Sequence, residues 1–209
     1  MKENSFTIAD LMSDDVYRLN LIIMIMAWSA SSFCFYIIGF YIKYIPGNVF
    51  ANVISTSVAD AVSSIAVGII VQYVGAKKTM LLSFAVAAVG GLALIMAGNE
   101  PQLILYMMFI TRFGINCAFS LCYIITAEYF PPIVCSRVFG ICNIFARVST
   151  ILSPLIAELT PPLPMATYVL ICTIMMVAST CLTKNEQADA AMQDLDDTLS
   201  MRSFEVFSS

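Results

Sequence analysis

The sequence contains no histidine. That removes the side chain that most often ligates metals and shuttles protons near neutral pH. Charge is scarce as well: 11 % of the 209 residues are Asp, Glu, Lys or Arg, where a soluble domain carries about 25 %. No glycine-rich phosphate loop, C-x-x-C pair or nucleophile–base pairing occurs. The cysteines (Cys34, Cys117, Cys122, Cys135, Cys142, Cys172, Cys181) fall mostly in apolar stretches. They read as small buried hydrophobes, not as disulfides or ligands. These gaps leave no basis for a metal, a cofactor or a nucleic-acid partner. With no sizeable soluble segment either, the chain is not expected to be an enzyme.

What remains is hydrophobic: 60 % of the residues, with mean hydropathy +0.88. A bilayer core of about 30 Å takes roughly 20 apolar residues per helix. Six windows qualify, at residues 19–42, 49–74, 80–97, 103–126, 138–159 and 165–182. The expected fold class is an all-α membrane protein, a bundle of six transmembrane helices over residues 19–183, with the lipid bilayer as its surroundings. Residues 1–18 carry Glu3, Asp10, Asp14 and Asp15 and no apolar run, so they are expected to be a terminal segment, not a signal peptide. Residues 184–209 hold Glu186, Asp189, Asp194, Asp196, Asp197 and Glu205, the pattern of a disordered acidic tail.

Lys and Arg in the loops give an orientation. With the N-terminus in the cytoplasm, Lys2, Arg18, Lys77, Lys78, Arg137, Lys184 and Arg202 lie inside and Lys43 outside. Both termini are then expected to be cytoplasmic. In the third window Ala87 and Gly91, then Ala93 and Ala97, have the small-xxx-small spacing that brings helices close.

Three charged residues fall well inside the windows, away from their ends: Asp60, Arg112 and Arg147. Such residues are costly in lipid and face a bundle interior or a pathway. Asp60 and Arg112 have the charges for an ion pair between helices. Arg147 then has no second intramembrane acid. It lies about 15 Å along its helix from Arg137, which is midplane depth. A guanidinium fork suits carboxylates, sulfates and phosphates. "WSASSFCFY", residues 28–36, sets aromatics among small polar residues, which suits either a cavity for organic solutes or plain packing. Ser153 and Pro154 follow Arg147 and could kink its helix.

Residues 112–156, "RFGINCAFSLCYIITAEYFPPIVCSRVFGICNIFARVSTILSPLI", resemble the C-terminal half of the organic ion transporter family of the major facilitator superfamily. That family has a pattern like T-A-E-L-Y-P-T-x-x-R, then G-x-x-N/S-x-x-x-R-x-G-x-I-x-x-P. Thr126, Ala127, Glu128, Pro131 and Arg137 match the first part; Gly140, Asn143, Arg147, Ile151 and Pro154 match the second. Trp28, Phe35 and Tyr36 fall on aromatics of the family's seventh helix, Asp60 on an acid of its eighth, and Gly75, Lys77 and Lys78 on its next short loop. The sequence departs at Gln72, where an acid is usual, and at Ser64, where anion-carrying members place a lysine.

The resemblance implies transport of a small organic ion by alternating access, with an anion or zwitterion favoured by Arg147. It implies Arg147, Phe35, Tyr36, Phe119 and Tyr123 as substrate-binding residues. Asp60, Arg112, Glu128, Arg137, Lys77 and Lys78 become gating or structural contacts. The chain resembles one six-helix half of that fold. Such a half is expected to need a second half, another copy or a larger membrane complex. A structural or accessory subunit that kept the fold but not transport, and a fragment of a twelve-helix transporter, remain alternatives.

Overall fold

In a computed structural model the described residues are 15–44, 48–97, 100–130 and 132–183, without the side chains of Pro101 and Ile133. They form six α-helices: α1 (Asp15–Tyr41), α2 (Val49–Val74), α3 (Ala76–Met96), α4 (Pro101–Tyr129), α5 (Pro132–Ala157) and α6 (Leu163–Ser179). A 3₁₀ turn, Ile42–Tyr44, follows α1. No strand occurs among the described residues. The first five helices are long and apolar enough to cross a membrane, while α6 is a shorter apolar helix of 17 residues. The terminal segment expected over residues 1–18 lies outside the described residues up to residue 14, and so does the tail expected over 184–209.

Every helix but α2 begins before its apolar window. Gly75 alone separates α2 from α3. It adopts φ +86°, open to glycine without strain. Its N–H donates to the Val71 carbonyl at 2.9 Å, and its own carbonyl accepts from Thr79 N at 3.1 Å and Thr79 Oγ1 at 2.8 Å. The stretch "EYFPPIVCSR" is mostly helix too. Pro132 opens α5, at a position where a missing N–H costs nothing. Inside α5, Pro154 cannot donate to the Thr150 carbonyl four residues back; Ser153 Oγ donates to that oxygen instead, at 2.7 Å.

The bundle centres on α1 and α4, which pack on each other. α5 flanks α1, α2 flanks α4, and α3 pairs with α6 behind them. Small residues set the tightest of these contacts. A Cβ on Gly90 would sit 2.9 Å from Thr111 N, and one on Gly114 would sit 2.6 Å from Ala87 N. The backbones of α3 and α4 therefore touch. The two flanking helices α2 and α5 are the least buried of the long helices.

Candidate functional site

Asp60 and Arg112 meet between α2 and α4. Arg112 Nε donates to Asp60 Oδ1 at 2.9 Å and Nη2 donates to Oδ2 at 3.1 Å, a fork-to-carboxylate pair. Arg112 Nη1 donates to the Phe35 carbonyl at 2.7 Å, and the guanidinium carbon stands 3.5 Å from the Phe35 ring centroid. Asn116, one turn after Arg112, donates from Nδ2 to the Asp60 carbonyl at 3.0 Å, to Ser63 Oγ at 2.7 Å and to Ser64 Oγ at 3.3 Å. Ser64, the position of the departure noted above, is thus held within this polar cluster.

The aromatic residues form a continuous wall on α1 and α4. Phe35 touches Tyr36 at 5.6 Å between centroids and stacks on Phe119 at 6.0 Å. Phe119 meets Tyr123 edge-on at 5.6 Å. Four of the five expected substrate residues therefore stand together, with Tyr36 39 % and Tyr123 43 % exposed. Two further rings belong to the wall. Trp28 lies 4.4 Å from Tyr123 and 6.2 Å from Phe119, and its Nε1 donates to Thr126 Oγ1 at 3.2 Å. Phe139, from α5, lies 5.9 Å from Trp28 and 6.0 Å from Tyr123. Helical spacing carries the signal for both: Trp28 precedes Phe35 by two turns, and Phe139, Asn143 and Arg147 recur every fourth residue.

Arg147 is exposed, about 22 Å from the start of α5 and 15 Å from its end at 1.5 Å per residue. No ionic partner lies within bonding distance of it among the described residues. Each step of four residues turns a helix by about 40° beyond a full turn. Arg147 is thus displaced from Phe139 by two such steps, on the edge of the side by which α5 meets α4. A cavity of about 420 Å³ lies on another face of α5, lined by Ser149, Leu152, Leu155 and Ile156 with residues of α1 and α6. None of the expected site residues lines it.

Apart from Asp60 and Arg112, the expected gating residues spread over one end of the bundle. Lys77 Nζ donates to the Leu182 carbonyl at 2.6 Å, and Asn20 clamps Thr183 by two hydrogen bonds, so the chain after α6 is tied back to α1 and α3. Lys78, Glu128 and Arg137 are exposed. At the other end Lys43 pairs with Glu158 at 3.2 Å, a contact that hydropathy windows do not reveal.

The Major Facilitator Superfamily family model matches residues 19–193. Human organic cation/carnitine transporter 2 is 25 % identical over 157 residues, which is 73 % of this chain and 28 % of that protein. Organic anion transporter 3 of Mus musculus is 27 % identical over 165 residues, 76 % of this chain and 30 % of that protein. The putative transporter svop-1 of Caenorhabditis elegans is 26 % identical over 180 residues, 75 % of this chain and 34 % of that protein. The chain thus spans about a third of the length of these relatives, which are named as transporters and not as enzymes. With its apolar helical bundle and this match, the chain is an integral, multi-pass membrane protein of the Major Facilitator Superfamily.

Proposed function

We propose that the chain forms one wall of a pathway for a small organic ion, working by alternating access against a second six-helix half. The observation that carries this reading is the aromatic wall of Phe35, Tyr36, Phe119 and Tyr123, with Arg147 on the neighbouring edge of α5. A guanidinium exposed at mid-span costs roughly 3 kcal/mol if it must face lipid. A partner half covering α2 and α5 would turn that cost into a site. Such a half could come from another copy or from a larger complex. Arg147 would hold a carboxylate, sulfate or phosphate, and the rings would pack the organic part, so an anion or a zwitterion is favoured. Among the relatives one is named for organic anions and another for organic cations and carnitine, so the preference rests on Arg147 and not on them.

In this reading residues 19–183 are the working bundle, and the basic end, with Lys77, Lys78, Glu128 and Arg137, is cytoplasmic together with both termini. Lys77 supports the α6 end, while Glu128 and Arg137, both exposed, would make gate contacts with the second half.

Uptake of benzoate and carnitine into vesicles holding the full chain, alone and with a six-helix N-terminal half, is the test. Arg147→Ala is expected to lower uptake at least about tenfold, since a charge-assisted contact is lost. Unchanged uptake of both solutes would remove Arg147 from the site. A chain that assembles stably with partners but moves nothing would favour the accessory-subunit alternative.

A further inference from the structure

Arg112 grips Phe35 twice, through the backbone carbonyl at 2.7 Å and over the ring at 3.5 Å, while its other two nitrogens hold Asp60. Asn116 fixes the Asp60 backbone from the same helix. The ion pair therefore does more than join α2 to α4. We infer that Arg112 is a positioning residue that sets the orientation of Phe35, and through it the charge preference of the aromatic wall. This rests on the wall being the substrate surface proposed above.

The reason lies in the ring's quadrupole, negative on its faces and positive around its edge. A cation binds an aromatic ring over its face. One face of Phe35 already carries the Arg112 guanidinium, and Phe119 lies near-parallel to the ring at 28°. Phe35 is left to present its positive edge to a solute. A carboxylate gains from that edge, and an organic cation finds the face it needs taken. The preference at this wall is then set by a residue that never touches the solute.

The chain's one tryptophan, Trp28, lies 6.2 Å from Phe119, so it reports on the wall without a label. The full chain in lipid nanodiscs, free of ligand, is measured by the fast anisotropy decay of Trp28. Arg112→Lys keeps a cation for Asp60 but loses the fork that grips Phe35. It is expected to raise the amplitude of the fast decay, as is Phe35→Leu. The double variant should show no more than the larger single effect. Full retention of the wild-type decay in Arg112→Lys, or additive effects, overturns the positioning role.

A second arm reads binding of benzoate and benzyltrimethylammonium by quenching of Trp28. The paired neutral variant Asp60→Asn with Arg112→Gln frees the ring face. It is expected to shift the affinity ratio toward the cation about tenfold, and adding Phe35→Leu should abolish the shift. An ion pair that only holds helices together would change stability and leave the ratio alone; an unchanged ratio therefore overturns the preference. Failure of the wild type to respond to either probe would count against the substrate surface, while the ligand-free arm still decides the positioning role.

Discussion

Arg112 and Arg147 are both arginines in the interior of long apolar helices, and the fold treats them oppositely. Arg112 is buried, and Nε, Nη1 and Nη2 all donate within 3.1 Å to protein oxygens. Arg147 is exposed on a flanking helix without an ionic partner among the described residues. The difference comes from their helices. α4 is central and meets α1, α2 and α3, and Arg112 finds its acceptors on two of them, α1 and α2. α5 packs mainly on α1, so its outer edge finds none. One arginine is committed to holding the bundle, and the other is available to a ligand or a partner.

The sharpest way to break that contrast is to remove each guanidinium in turn. Arg112→Ala leaves the Asp60 carboxylate without its donor and strips the Phe35 carbonyl of its cross-helix bond. Losing one partner of a buried pair costs roughly 3 kcal/mol, reduced here because the Asp60 side chain is 30 % exposed. A clear drop in apparent unfolding temperature in detergent is expected. Arg147→Ala is expected to shift that temperature little, about 0.5 kcal/mol or less, as for surface substitutions away from special features. Equal losses would mean that Arg147 has a structural partner, and the contrast would fail.

A second contrast separates the back of the bundle from its flanks. Gly114 lets α4 lie against α3, where an added Cβ would meet Ala87 N at 2.6 Å, Ala87 Cα at 2.9 Å and Ser83 O at 3.0 Å. All three are backbone atoms and none can rotate away. Gly114→Ala is expected to cost about 1–3 kcal/mol through overpacking, read as a lower unfolding temperature. Gly140, on flanking α5, has open space where its Cβ would be, and Gly140→Ala is expected to be neutral or slightly stabilising. A loss at Gly140 equal to that at Gly114 would show that the flank is packed as tightly as the back.

Most of the fold was legible in the sequence because lipid imposes helices of near-fixed length. The apolar window at residues 49–74 coincides with α2. The ends were less legible: hydropathy stops at the first polar residue, whereas a helix continues through Lys77, whose head reaches the Leu182 carbonyl, and through exposed Arg137. Within the site, the charges that allow Asp60 and Arg112 to pair could be read from their types. The grip of Arg112 on Phe35 could not, since no single-helix spacing encodes a contact between α4 and the backbone of α1. Trp28 and Phe139 were within reach of helical periodicity, at two turns from Phe35 and two four-residue steps from Arg147.

The smallest expected effect lies at the outer tip of the α1–α5 contact. Lys43 and Glu158 form an ion pair at 3.2 Å, like Asp60 and Arg112 in charge but not in setting: their side chains are 53 % and 65 % exposed. Water screens the attraction and both long side chains lose rotamer freedom to make it. The pair also has a single N–O contact where Arg112 has a fork. Glu158→Gln removes the charge, keeps the shape, and is expected to leave the unfolding temperature unchanged at any salt concentration. A loss that vanishes at high salt would mean that this end of the bundle is held by electrostatics after all, and that exposure alone does not separate the structural ion pair from the idle one.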